Sequence, residues 1–289
     1  MGNLLLTPRA FLRRRLAAVP GLPTTPSPLR DRVVVVTGAS SGIGAATALA
    51  VARRGGIVVA VARREDLLAQ VVDQIVSSGG RAQAYPCDLT DADAVDALVK
   101  QVLADHDTVH YLVNNAGRSI RRPLAESYDR VHDFERTMAI NYIAPVRLTL
   151  GFLPGMRQQR FGHVVNVVTW GVQVKAPKFA AYIASKSALD VFARIAGREA
   201  YADNVTFTNV RLDLVRTEMS SATDAYDSMP AKSPEQAAQI VVRALEDRPI
   251  TVNTLVGQVG EIFNVLAPRL SDATMAMVDR LGRPGRMKG

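Results

Sequence analysis

Residues 33–44 read VVVVTGASSGIG. Four consecutive valines ending in a glycine turn suit a strand buried on both faces. A parallel sheet covered by helices on either side provides that environment. The next stretch, IGAATALAVARRG at 43–55, is helical in pattern. The chain therefore leaves its first strand through a glycine turn directly into a helix, which starts a β-α unit.

The alternation continues. GIVVAVAR (56–63), RAQAYPCD (81–88), VHYLVNNAG (109–117), GHVVNVV (162–168) and NVTFTNVRL (204–212) read as strands. Helical patterns separate them over 65–80, 91–105, roughly 131–158 and about 177–202, and another follows over 233–247. This order predicts an α/β fold: a single Rossmann-type, doubly wound parallel sheet flanked by helices. The expected boundaries are a basic arm and Pro-rich linker over 1–30, a catalytic Rossmann domain over 31–255, and a helical extension with a basic tail over 256–289. No internal repeat or low-complexity tract interrupts them.

The net charge of +8 sits at the two ends. Residues 1–30 carry five arginines and no acid, and residues 280–289 carry Arg280, Arg283, Arg286 and Lys288. The body between is nearly neutral, which argues against a nucleic-acid-binding domain. In the arm, Phe11, Leu12, Leu16 and Val19 can share one helical face, with arginines mostly on the others. Three roles fit it: contact with an anionic membrane surface through residues 8–19, an organellar transit peptide, or a helix resting on its own body or a partner subunit. The apolar stretch at 250–270 is interrupted by Glu261 and Arg269, so it does not read as a membrane span. An apolar flap over a pocket and a helix packed on the body or across a dimer both fit. One cysteine, Cys87, leaves no internal disulfide. That fits a cytoplasmic location without excluding membrane association. His106, His110, His132 and His163 share no metal-ligand spacing, so no metal site is expected.

Gly38, Gly42 and Gly44 follow the first strand with the spacing TGxxxGxG. Glycines there let backbone amides approach a pyrophosphate, and the helix N-terminus favours its charge. The second strand ends in Arg63 and Arg64, where an NAD-binding chain usually has an acid. A guanidinium suits a 2′-phosphate, so NADP(H) is expected over NAD(H). Of the two, Arg63 is the expected contact and Arg64 the more readily solvated.

TGASSGIG, NNAG, Asn141 within MAINY, and YIASK, in this order, resemble the short-chain dehydrogenase/reductase family over about residues 31–245. YPCDLTD at 85–91 and the stretch from Asn114 to Tyr142 are similar to the family's bacterial fatty acyl-CoA reductases. The resemblance implies that Gly38, Ser40, Ser41, Gly42, Ile43 and Gly44 line the cofactor phosphates. It places Asp88 and Leu89 beside the adenine, and Asn115, Ala116 and Gly117 along the ribose and phosphates. It puts Thr217 at the nicotinamide end and implies a homodimer or homotetramer. One departure stands out: Leu212 and Asp213 occupy the usual Pro-Gly pair before Thr217.

Tyr182 and Lys186 are one helical turn apart, on one face. Tyr182 is the candidate general acid, and a neighbouring ammonium lowers a phenol's pKa by stabilising its anion. The resemblance adds that Lys186 holds the nicotinamide ribose and that Asn141 helps a water relay protons to it. Thr169, thirteen residues before the tyrosine, occupies a position that is usually serine. Its hydroxyl is the expected hydrogen-bond donor to the substrate oxygen, and its methyl restricts the rotamer. Cys87 falls near the expected adenine and is a poor nucleophile candidate.

The activity expected is NADPH-dependent reduction of a carbonyl, with a fatty acyl-CoA going to its aldehyde. Arg118, Arg121 and Arg122 suit CoA phosphates, or else form a solvated loop. Two alternatives remain open: a reductase or dehydrogenase of a lipid-like ketone or secondary alcohol, 3-oxoacyl substrates included, and a nonenzymatic dinucleotide-binding protein.

Overall fold

The computed structural model describes residues 26–221 and 229–281. The arm's candidate helix and the basic tail after Leu281 lie outside the described residues. Among these are seven parallel strands: β1 (Val33–Thr37), β2 (Ile57–Ala62), β3 (Arg81–Pro86), β4 (Tyr111–Asn114), β5 (Gly162–Thr169), β6 (Val205–Leu212) and β7 (Thr251–Val252). Their order is β3-β2-β1-β4-β5-β6-β7. The connecting helices are α1 (Gly42–Ala52), α2 (Glu65–Ser77), α3 (Ala92–His106), α4 (Val131–Met138), α5 (Ala144–Gln158), α6 (Gly171–Val174), α7 (Ala180–Glu199), α8 (Glu218–Ser221), α9 (Pro234–Asp247), α10 (Leu255–Leu266) and α11 (Pro268–Leu281).

The valines of β1 serve both faces, as strand alternation requires. Val34 and Val36 pack with α1, α2 and α9, through residues such as Leu68, Ile75 and Val241. Val33 and Val35 pack with α3 and α5, through Leu98, Val102 and Phe152. Val34, Val35 and Val36 are fully buried, each stabilising the fold by about 1.5–3 kcal/mol relative to exposure. Val35→Asp would put an unpaired charge between the layers. Val34 pairs with Val58 on one side and Tyr111 on the other. The chain thus winds outward from β1 to β3, then crosses back to β4 at β1's other edge. Crossovers in opposite directions open a crevice at the carboxyl ends of β1 and β4.

Three sequence expectations are refined. The helical stretch at 131–158 contains a π-helical turn, Ala139–Ile143, between α4 and α5. The helix expected from about residue 177 starts at Ala180, because Lys175 and Lys178 have positive φ (55° and 71°). The 250–270 stretch divides into β7, α10 and the start of α11. Among the described residues, no helix is long and apolar enough to cross a membrane.

Candidate functional site

A cleft of about 1180 Å³ lies at the carboxyl ends of the strands. Its first wall is the β1–α1 turn. Gly38 and Gly42 have positive φ, at 67° and 54°. A Cβ on Gly44 would lie 2.0 Å from the Gly38 carbonyl oxygen. One on Gly38 would lie 2.9 Å from Asn115 Nδ2, so the β4 loop presses directly on the glycine turn. Gly38, Ser40, Ser41, Gly42 and Ile43 line the cleft. Gly44 is buried behind them and serves the packing of the turn.

Thr37 ties this wall to the next. Its hydroxyl donates to the Val113 carbonyl (3.1 Å) and accepts from the amides of Asn115 (2.9 Å) and Ala116 (3.0 Å). Asn115, Ala116 and Gly117 therefore run along the cleft. Thr217 leans over the turn: its Cγ2 would lie 3.2 Å from a Cβ on Gly42. That position is above the glycine loop. Asp213, at the usual glycine, pairs with Lys232.

At one end, Arg63, Arg64, Asp88 and Leu89 line the cleft. Arg63 is 72% exposed and 3.6 Å from Asp88, whose pKa is lowered chiefly by hydrogen bonds from Thr90. Arg64 donates to Ser41 Oγ (2.6 Å) and pairs with Glu218 (3.0 Å). It spans the glycine turn, whereas the sequence marked it as the more readily solvated of the two arginines. Cys87 is buried there, and burial pushes its thiol up to about 11.

Thr169 ends β5, while Tyr182 and Lys186 come from the first turns of α7. All three line the cleft. The Thr169 hydroxyl accepts from the Gly171 amide (3.1 Å), leaving its own proton for another acceptor. Its methyl faces Gly171, where a Cβ would come within 3.3 Å. Tyr182 is half-buried against the Phe179 ring, with centroids 6.4 Å apart. Lys186 is 4% exposed and donates to the Val167 carbonyl (2.9 Å). Burial lowers its pKa to about 8.

Asn141 lies fully buried in the π-helical turn, behind the cleft. Its Nδ2 donates to the Arg118 carbonyl (2.8 Å) and to Ser185 Oγ (2.9 Å), and its Oδ1 accepts from the Arg118 amide (2.8 Å). A Cβ on Gly117 would lie 2.8 Å from Asn141 Oδ1 and 3.2 Å from Lys186 Nζ, so only glycine fits between them. The sequence reading missed Ser185, whose hydroxyl also donates to the Tyr182 carbonyl (2.7 Å). Its place between Tyr182 and Lys186 was the available signal. It also missed the apolar lining of the cleft: Trp170, Val174, Phe179 and Ile183 around Thr169 and Tyr182, and Met219 and Met229 from the segment after β6. The chain's single tryptophan, directly after Thr169, pointed there.

The histidines have structural settings. His163 is buried between Thr206 and the Ala244 carbonyl, and His110 Nδ1 accepts from the Val33 amide (3.2 Å). His106 meets the Tyr85 hydroxyl and His132 the Asp133 carboxylate.

The cleft thus joins a bare-amide turn and cationic end to a hydroxyl pair backed by a buried ammonium, then to an apolar end. The close glycine packing and continuous length fit an extended dinucleotide with room beyond it.

The comparisons agree with this arrangement. An uncharacterized oxidoreductase of Mycobacterium tuberculosis (strain ATCC 25618 / H37Rv) is 47% identical over 265 residues, covering 91% of this chain and 77% of its own. A protein named fatty acyl-CoA reductase from Acinetobacter baylyi is 43% identical over 249 residues, 86% of this chain and 84% of that one. A metagenomic short-chain oxidoreductase solved in complex with NADP superposes with a TM-score of 0.68 at 31% identity, covering 78% of this chain and 97% of that one. The model of the short chain dehydrogenase family matches residues 32–227, and the chain belongs to that family.

Proposed function

We propose that this oxidoreductase reduces the thioester carbonyl of a fatty acyl-CoA to the aldehyde, using NADPH. The observation that carries the reading is the apolar end of the cleft beside Thr169 and Tyr182, which suits an acyl chain. The 43% identity to a relative named fatty acyl-CoA reductase supports it. Arg63 and Arg64 support NADPH, since they stand at the end of β2, where an NAD-binding chain usually carries the acid that would repel a 2′-phosphate. The glycine turn would hold the pyrophosphate, and Lys186 the nicotinamide ribose. Thr217, above Gly42, would close over the phosphates.

NADPH supplies the hydride when bound; the remaining requirements fall on the chain. Hydride addition to the carbonyl carbon pushes electrons onto oxygen. Thr169 donates a hydrogen bond to that oxygen, its acceptor site being occupied by the Gly171 amide. Tyr182 supplies the proton as general acid, and Lys186 stabilises the phenolate that remains. Asn141 fixes the Arg118 backbone and Ser185, and with them the turn that carries Tyr182 and Lys186. The C–S bond then breaks with its electron pair on sulphur, which takes a proton, while the hydroxyl loses its proton and the aldehyde carbonyl forms. No enzyme thiol enters this balance, in keeping with Cys87's raised pKa. The exposed Leu150, Val191 and Ile195 on α5 and α7 support a homodimer or homotetramer.

The test is NADPH oxidation with palmitoyl-CoA, read beside free thiol. Thiol released in step with NADPH loss supports the reading. NADPH binding without thiol release, on substrates of any chain length, overturns it and turns the assignment to ketones or secondary alcohols.

A further inference from the structure

Five arginines cluster on the segment following β4: Arg118, Arg121, Arg122, Arg130 and Arg136. Three share one carboxylate. Asp133, 4% exposed, accepts from Arg122 Nε (3.2 Å) and Arg130 Nε (2.9 Å) and also holds Arg136. Asp129 further faces Arg130. Glu126 and Glu135 lie on the same segment, so the five arginines face four carboxylates and the formal charge of residues 118–136 is +1. Among the described residues, no carboxylate pairs with Arg118 or Arg121. Both are exposed, and both line the cleft together with Arg136.

The backbone beneath them is fixed. Asn141 holds Arg118 by amide and carbonyl, and the Arg122 amide donates to the Lys178 carbonyl (2.6 Å). Lys178 itself is paired with Asp279 (2.7 Å), so it does not compete for an anion. Arg121 therefore stands on a short segment pinned at both ends, next to the loop that leads to Tyr182. This patch is separate from Arg63 and Arg64, which follow β2.

We propose that Arg118, Arg121 and Arg136 form a subsite for the phosphate groups of coenzyme A. It would hold the nucleotide end of the substrate at the cleft mouth while the thioester reaches Thr169 and Tyr182. Planar guanidiniums match phosphate oxygens in pairs, and Arg118 and Arg121, with which no described carboxylate pairs, give the cleft mouth its sign. Asp133 is the positioning residue, since it orients Arg136 without reaching the cleft. This assignment replaces Arg122, which does not line the cleft, with Arg136, which does. It rests on the acyl-CoA reading above.

The experiment compares decanoyl-CoA with the decanoyl thioester of N-acetylcysteamine, which lacks the nucleotide, on the full chain with NADPH. Arg121→Gln and Arg118→Gln should each lower the ratio of kcat/KM for the CoA thioester over the truncated thioester about tenfold, and Arg121→Glu further. High salt should lower the same ratio. An unchanged ratio in all three variants overturns the proposal, as does a rise confined to the KM for NADPH. Calorimetric titration of free CoA and dephospho-CoA into the wild-type chain and the same variants reads the subsite without turnover. CoA binding that the variants weaken supports the subsite even if no thioester is reduced, whereas failure of thioester reduction alone counts against the functional reading. Absence of CoA binding to the wild-type chain overturns the subsite.

Discussion

The Lys186 ammonium donates to the Val167 carbonyl at 2.9 Å, tying α7 to β5 two residues before Thr169. This bond aligns the two elements that carry the hydroxyl pair. It also keeps a charge out of water, and burial lowers that lysine's pKa from 10.5 to about 8.

A lowered lysine pKa means that the folded chain binds fewer protons than the unfolded chain between about pH 8 and 10.5. Burying the charged form therefore costs stability, with the penalty growing as pH falls from 10.5 to 8 and full below that. Lys186→Met should abolish turnover yet raise stability at pH 7 by up to roughly 3 kcal/mol, less the lost hydrogen bond. Denaturant titrations at pH 7 and pH 10.5 check this. The gain should shrink at the higher pH, and a destabilised variant at pH 7 would contradict it.

Thr169 offers a sharper test of the hydroxyl pair. Its oxygen is oriented by the Gly171 amide, and its methyl sits against Gly171. Thr169→Ala should lower kcat about a hundredfold, the scale for losing one oxyanion donor. Thr169→Ser should retain most of the activity, because the donor remains. Steady-state kinetics on both variants would separate a chemical role from a packing role, in which serine would fail as alanine does.

The parallel sheet was legible in the valine runs because burial on both faces leaves no polar alternation to misread. Tyr182 and Lys186 were legible because residues four apart share a helix face, whereas the glycine turn and Thr169 were legible through the resemblance to the family. The π-helical turn around Asn141 was hidden, since apolar periodicity continues through it from α4 into α5. Arg64's span to Ser41 depends on side-chain direction at a strand end, which neighbouring residues do not encode. The cleft's apolar lining draws Trp170, Phe179 and Met219 from three separate segments, and only the closed fold assembles them.

Arg63 and Arg64 should differ in what they control. Arg63's contact with Asp88 is loose and exposed, so it contributes little and yields readily to a phosphate. Arg63→Gln should lower the preference for NADPH over NADH about tenfold. Arg64→Gln should weaken both cofactors, because it removes a hydrogen bond to the glycine turn itself. KM values for the two cofactors on each variant give the comparison, and an unmoved preference in Arg63→Gln would assign selection elsewhere.

The C-terminal helices bear on the substrate wall. A Cβ on Gly257 would lie 2.3 Å from Gln173 Oε1, and one on Gly260 would lie 2.5 Å from Val174 Cγ1. These glycines let α10 press on α6, which carries the cleft-lining Val174. Polar contacts hold it there: Gln173 donates to Glu261 (2.7 Å), and Asn264 donates to the Gln173 carbonyl (2.8 Å). Gly257→Ala must push α10 outward or turn Gln173 aside, and either change moves α6. The variant should raise the KM for long-chain acyl substrates severalfold more than the KM for NADPH, because the glycine turn lies on the other side of the cleft. Equal rises in both values would mean that α10 supports the whole fold, whereas a selective rise ties it to the acyl end.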